Sequence, residues 1–551
     1  LPLDKIPLLD WIAADATYGV GYQFQANSFG IADSLGVPFG NIIRNNRERG
    51  VTGRVDLIRL YNKIRYLRFA NTPAPVRKNF ARNPGDIEEI ERGDSKVLKN
   101  FTRALLTVRG INFSYNLQES TILPGFLPSP KLFGLSAENA PGLAFVLGGQ
   151  DRNIAYKAAQ KGWLTPSTVL NTPFQQNITK KFTASTTLEP FKDFRMQINW
   201  RLDRTDAYQE YFRPGSQGGP FETQSPVRSG QFSMSFWSFR TAFKGLRSDN
   251  TSVLFDSLES YRAYFAGKLN QQAREGGRAG TYDLNAQDVL IPSFFAAYSG
   301  QQKEKAKFSP FYNFPLPNWQ VTYNGLSGLG FIKKAFSAFT INHSYTSTYS
   351  VGNYISNLDY GAAYVNLAVQ DFGVGTLTNQ LGQFMPIVAM STITMSEKFA
   401  PMIGVQVQTK NRISGQLSYN QSRDVALSLS NAQVAELSNK DLTASLGFTR
   451  QNVRIPFRIN GAYKKLKNDL TFSCALTFRD TRTIQRKLDA EQTVTAGNVN
   501  FQLRPQISYI VSRRLNFNLY FDRTFNDPLV SNSFKRATTS GGVQLKFNLA
   551  E

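Results

Sequence analysis

Two residues would have to carry most acid–base or metal chemistry in this chain, and each stands alone. The 551-residue sequence has one histidine, His343, and one cysteine, Cys474. A protein zinc site is built from three or four clustered nitrogen, sulfur or carboxylate ligands, and these two cannot form one of the usual kind. His343, in "INHSYTSTY", reads as a residue on the polar face of a strand rather than a catalytic base. Cys474 lies in "LTFSCALTF" (470–478) on the apolar side of an alternating run, where a thiol acts as a small apolar residue. With one cysteine, no disulfide can form within the chain. The glycine-rich stretches "GLSGLG" (325–330) and "EGGRAG" (275–280) lack the strand-to-helix setting of a phosphate loop and read as turns. No nucleophile elbow or zincin motif occurs. The expectation is no catalytic residue, no metal and no cofactor.

One short pattern does imply a mechanism. The terminal "SGGVQLKFNL" has the form polar-x-Gly-x-x-apolar-x-apolar, carried by Ser540, Gly542, Leu545 and Phe547. It is similar to the closing-strand signal of bacterial outer-membrane barrels, which assembly machinery reads by strand pairing. Such a signal needs a strand to present it, and the surrounding sequence supplies many. Val499, Phe501, Leu503, Ile507, Tyr509 and Val511 alternate with polar residues. Leu515, Phe517, Leu519 and Phe521 resume the pattern after "SRR" (512–514). Period two marks strands. Further runs lie at 403–419, with a phase slip near Lys410, then at 442–448, 470–478 and 543–549. Earlier candidates are 14–26, 50–60, 101–117, 175–188, 192–204, 230–244, 318–326, 336–349 and 387–398.

The clean runs span about 9–13 residues, whereas a strand in a water-soluble domain usually has about 5–6 and a tilted membrane-spanning strand about 9–11. Phe501, Leu503, Ile507, Phe517, Leu519 and Phe521 are therefore expected to face lipid. Composition agrees. The apolar fraction is only 41%, yet aromatics reach 13%, with 43 Phe and 23 Tyr; rings gather at the lipid interfaces of membrane barrels. The net charge of +23 is spread over strand faces and turns without a recognition motif, so nucleic acid is not an expected partner. No run approaches 18 apolar residues, so no transmembrane helix is predicted. "LPLDKIPLLDW" lacks the features of a signal peptide and reads as the start of a mature product or a fragment.

The predicted fold class is an all-β membrane protein: an antiparallel transmembrane β-barrel wall of about 14 strands, part of a larger barrel, with long partly helical insertions. Residues 1–551 form one barrel domain. The insertions are 70–99, 118–173 and 245–317, as long loops or lumen or cap segments. Leu254, Leu258, Tyr261 and Phe265 sit at helical spacing. "AQDVLIPSFFAAYSG" is a second helix candidate, with Pro292 as its kink or start. Pro505, inside a strand, predicts a bulge. Short turns belong on the periplasmic side and longer loops outside. This places "SRR" and the C-terminus inside and "NDPLVSNSFKRA" (526–537) outside.

Longer stretches resemble one family. "NFTRALLTVRGINFSYNLQESTILPGFLPSPKLFG" (100–134), "PFQQNITKKFTASTTLEPFKDFRMQINW" (173–200), "DVLIPSFFAAYSG" (288–300), "PLPNWQVTYNGLS" (315–327) and "LYFDRTFNDPLVSNSF" (519–534) resemble the C-terminal part of the SprA/Sov family. This is the giant outer-membrane translocon of the type IX secretion system of Bacteroidetes. The resemblance runs in family order along the whole chain. It implies a C-terminal segment of a longer protein in the cell outer membrane, conducting folded cargo proteins through a gated aqueous lumen. The partners it implies are outer-membrane lipid, secreted cargo proteins, a plug protein and a partner barrel at a lateral opening. It supplies no residue for either protein contact. The alternatives are a self-contained outer-membrane porin or transporter barrel, which requires the first strand to pair with the last, and a soluble β-sandwich or adhesin array.

Overall fold

A computed structural model describes residues 9–64, 67, 106–360 and 375–547, apart from 29–31, 33, 35, 216–217, 245–246, 248–250, 460–461, 466–467, 489–491, 512–514 and 531–532. Insertion 70–99 and the "SRR" turn lie outside the described residues.

The polypeptide folds as an all-β antiparallel barrel wall with partly helical insertions. Its first strands are β1 (Ile12–Gln25), β2 (Asn41–Asp56), β3 (Val108–Phe126), β4 (Phe174–Leu188), β5 (Phe194–Pro214) and β6 (Phe221–Ser235). Then come β7 (Asn318–Tyr323), β8 (Phe336–Ser356), β9 (Val388–Met390), β10 (Thr392–Thr409), β11 (Ile413–Ser428) and β12 (Gln433–Arg450). The last are β13 (Arg454–Ile459), β14 (Ala462–Lys465), β15 (Leu470–Lys487), β16 (Gln492–Ile510), β17 (Leu515–Pro528) and β18 (Arg536–Phe547). All but β13 and β14, which form a separate hairpin, join one 16-stranded sheet. Its order follows the sequence from β1 to β18, as short up-and-down connections favour. β1 and β18 are its two edges and do not pair with each other.

Helices occur in the connections. They are α1 (Leu57–Lys63), α2 (Leu143–Val146), α3 (Ile154–Gln160), α4 (Val253–Glu275), α5 (Gln287–Ser299) and α6 (Gly330–Ala335). No described helix is long and apolar enough to cross a membrane. Asp56 caps α1 by accepting from the Ile58 and Arg59 amides at 3.1 and 3.2 Å, the usual service of an aspartate at this position. In α4, Leu254, Leu258 and Phe265 are buried and Tyr261 is partly so, as their spacing predicts. Every residue of α5 from Val289 to Ser299 is buried. Pro292 lies inside α5 rather than at its start and leaves the Asp288 carbonyl without its helical donor. "EGGRAG" forms the end of α4, with Gly276 as its cap and Gly277 at φ +64°.

Several boundaries differ from the sequence reading. The run 403–419 is a hairpin: β10 and β11 flank a turn at 410–412, where Arg412 has φ +61°, and the phase slip was that turn. β3 runs on to Phe126, so the second insertion begins after it, not at residue 118. The 50–60 candidate is the end of β2 followed by α1, and β6 stops at Ser235 instead of reaching residue 244. Pro505 makes no bulge. Leu503 pairs with Arg523 and Gln506 with Tyr520, which preserves the register. The ladder to β17 lapses over residues 504–505, the side on which proline has no N–H to give. The Arg504 guanidinium bridges the lapse by donating to Asp522 at 2.7 Å.

β6 and β7 share one lane. Both lie between β5 and β8; β6 pairs with Leu202–Pro214 of β5 and β7 with Phe194–Asn199. The chain thus leaves the wall at mid-height after Ser235, builds α4 and α5, and returns at Asn318.

Candidate functional site

Antiparallel partners share a face, so register sorts the wall into two surfaces. On β11 one surface carries Ser414, Gln416, Ser418, Asn420, Ser422 and Asp424. Two strands along, across β12, β15 presents Thr471, Ser473, Ala475, Thr477, Arg479 and Thr481 to the same side. This polar face carries small, hydroxyl-rich side chains, a composition that suits an aqueous lining. The opposite face is divided into three zones along each strand.

The lower zone is apolar and uncovered. One row crosses six strands through Ile413, Phe448, Phe472, Ile507, Leu519 and Val543. Leu446 is 50% exposed and Leu417 46%. The six residues expected to face lipid all belong to this face. Leu519 and Phe521 are exposed, while Phe501, Leu503, Ile507 and Phe517 are half-buried between their neighbours. Cys474 sits here too, opposite Leu446 and Pro505. His343 also lies on this face, paired with Val321, and not on the polar face. Its Nδ1 donates to the Met402 carbonyl at 2.6 Å. That carbonyl belongs to the irregular stretch of β10 between Phe399 and Ile403, so the ring satisfies a bulge.

The upper zone of the same face is covered by inserted segments. Leu427 and Val434 are fully buried against the core formed by α4 and α5. The insertion 245–317 therefore packs on the apolar face and does not enter the space lined by the polar one; of the expected forms, loop, lumen segment or cap, the lumen segment does not hold. Buried ion pairs clip it in place. Arg423 bonds Glu397 at 3.1 Å and donates to the Thr241 carbonyl at 3.0 Å. Glu397 also accepts from Ser238 at 2.9 Å and Tyr345 at 3.0 Å. Arg486 bonds Glu436 at 2.7 Å and lies 6.0 Å from the Phe255 ring. The segment after β3 is held on this same face by a polar row. Asn45 donates to the Phe145 and Gly149 carbonyls, each at 2.8 Å. Next to it Thr121 donates to Gln150 at 2.7 Å and Gln176 to the Asp151 carbonyl at 3.1 Å. These residues interrupt the apolar alternation, which is why pattern reading passed over them; polar residues at apolar-face positions were the available signal.

Between the two zones runs a polar and aromatic belt. One row passes through Trp319, Tyr345, Phe399, Gln421, Lys440 and Asp480. Below the insertion it opens a crevice of about 380 Å³.

The terminal pattern is split between faces. Ser540 and Gly542 point to the polar side; Leu545 and Phe547 point to the apolar side and are 63% and 67% exposed on the edge strand. Gly542 faces Tyr520, and a Cβ there would stand 2.9 Å from the phenol oxygen. The glycine thus seats the Tyr520 ring. Within α5, burial lifts Asp288 from the usual carboxylate range to about 6. Among the described residues no group of three or more His, Cys, Asp or Glu could hold a metal ion.

No family model matches the chain, and no curated protein matches it. Among solved structures, it is similar to the ferric enterobactin receptor of Pseudomonas aeruginosa, determined in complex with enterobactin. The identity is 6% and the TM-score 0.22, over 99% of this chain and 72% of the receptor. The siderophore receptor PirA of Acinetobacter baumannii aligns at 6% identity and TM-score 0.14, over 98% and 71%. Likenesses at these scores carry no argument about this chain, whose fold rests on its own strand register.

Proposed function

We propose that this chain is part of the wall of a large outer-membrane β-barrel that conducts folded protein cargo, as in the type IX translocon family it resembles. One observation carries the reading: a long two-faced wall, polar on one side and bare and apolar in a band on the other, whose edges do not meet. The bare band suits lipid, because an outward apolar band about 25 Å tall is what a barrel presents to a bilayer. Open edges suit incorporation into a wider barrel, because unpaired backbone is costly in hydrocarbon. The missing β1–β18 pairing weighs against a self-contained porin. The uncovered band weighs against a soluble sandwich, which buries its inward faces. The cargo, the plug protein and the partner barrel come from the family resemblance.

Two measurements test this. Single cysteines at residues 501–508, in a Cys474→Ser background, are treated in cells with a membrane-impermeant maleimide. Positions 501, 503 and 507 should resist labelling while 502, 506 and 508 react; uniform reaction defeats the lipid-facing band. Deleting residues 499–547 from the chromosomal copy should abolish surface delivery of secreted cargo. Normal cargo export with impaired uptake of a small solute would favour the porin reading.

A further inference from the structure

The belt crevice lies where the bare apolar zone meets the inserted segments. Phe243, 58% exposed, lines it, and farther along the same belt Trp237, 36% exposed, meets Trp319 of the wall edge to face. Exposed rings at the border of an apolar band mark the headgroup level. Four cations and two acids line the crevice, but most are already committed. Arg423 is held by Glu397, and Glu436 by Arg486. Asp480 receives a two-point bond from Arg482, at 3.0 Å for each contact. Lys244 and Lys440, both exposed, make no ion pair among the described residues. Lys440 is opposite Asp480 in register, whose carboxylate Arg482 occupies. Ser438 and Gln421 add neutral polar groups to the lining, and Gln421 is fixed by donating to the Ala242 carbonyl at 3.1 Å. Directly below, Ile403, Leu442, Phe478 and Phe501 continue the apolar face.

We propose that this crevice holds the phosphate headgroup of an anionic lipid between Lys244 and Lys440, with the acyl chains lying on the apolar rows beneath. Two uncommitted ammonium groups above a hydrocarbon-compatible surface complement a ligand that is anionic at one end and apolar at the other. Lysine binds phosphate as a point charge and needs no planar partner. The proposal rests on the reading of the lower zone as lipid-facing.

The test uses the intact protein in neutral detergent, titrated with phosphatidic acid, phosphatidylcholine or inorganic phosphate and followed by native mass spectrometry. Phosphatidic acid should bind the wild type more tightly than phosphatidylcholine. The Lys244→Gln/Lys440→Gln double variant should weaken phosphatidic acid about 30-fold, given about 1 kcal/mol per cation near a charged surface. Its affinity for phosphatidylcholine should be unchanged. Equal loss for both lipids, or no loss for either, overturns the site while leaving the lipid-facing reading intact. Inorganic phosphate binding as tightly as phosphatidic acid overturns the lipid and leaves a plain anion site. A protein that needs no detergent and binds neither lipid overturns the lipid-facing reading itself.

Discussion

The upper and lower halves of β11, β12 and β15 present the same face with the same alternation, yet to opposite surroundings. Leu427 and Val434 are fully buried under α4 and α5, whereas Leu417 and Leu446, on the same strands and the same side, are bare. Period two therefore identifies a face but not its neighbour. What separates the halves is a set of charged residues at face-up positions: Arg423, Glu436 and Arg486 where protein covers the wall, none between Leu442 and Phe448. The covered half is a protein core with internal ion pairs. The bare half has the composition of a surface made for an apolar solvent.

The largest test of this contrast is Arg486→Ala. Removing one member of a buried pair leaves Glu436 charged and desolvated, at a cost of about 3–5 kcal/mol. The expected result is loosening of the insertion, seen as new protease cleavage between residues 253 and 299 while the strands stay protected. Unchanged cleavage would mean that the ion pair does not hold the insertion. Next comes Leu446→Arg in the bare half, expected to cost about 2–4 kcal/mol in a bilayer. Ser445→Arg, one residue away on the polar face, should be nearly neutral. Heat-modified electrophoretic mobility after membrane insertion compares the two, and equal effects would erase the distinction between faces.

Asp288 gives a smaller, pH-dependent effect confined to the covered half. Its carboxyl titrates near 6 when folded and near 3.9 when unfolded, so the folded state holds the proton more tightly. Its contribution is favourable below about pH 4 and is lost as pH rises from about 4 to 6. Hydrogen exchange of α5 should quicken over that window in the wild type and stay flat in Asp288→Asn. The smallest effect is Gly542→Ala at the edge. The new methyl displaces the exposed Tyr520 ring, so assembly should slow slightly with no change in the finished wall. A large loss of folded protein would mean that the glycine does more than seat the ring.

Where alternation was clean, as in 470–478 and 499–511, the sequence revealed both strand and face. It failed where the wall meets its insertions. Asn45, Thr121 and Gln176 are polar at apolar-face positions because they bond to the inserted segment, Asn45 and Gln176 to its backbone and Thr121 to the Gln150 side chain, and a single-strand pattern cannot show its bonding partner. β2 and β3 were misplaced for this reason. The hairpin turn at 410–412 hid because the residues beyond it resumed alternation. At Pro505 the expected irregularity takes the form of a ladder lapse and not of a bulge, because a proline whose missing donor faces only one neighbour leaves register untouched. His343 lies on the apolar face and not on the expected polar one; its acceptor, the Met402 carbonyl, is 59 residues away in sequence and invisible to a strand pattern. That α4 and α5 lie on the apolar face shows in the strands only as charged residues, Arg423, Glu436 and Arg486, at apolar-face positions.

The lane shared by β6 and β7 also sets a timetable. During assembly, Phe194–Asn199 of β5 has no partner on that side until Asn318–Tyr323, more than a hundred residues further along the chain, returns to the wall. Pairing across such a separation is slow, so this lane is expected to close later than the hairpins on either side. The insertion thus couples the two halves of the wall: β8 meets a complete edge only where both β6 and the returning β7 are in place. In a refolding time course into detergent or lipid, protease pulses should cut Phe194–Asn199 for longer than Leu202–Pro214; equal protection times would remove the delay.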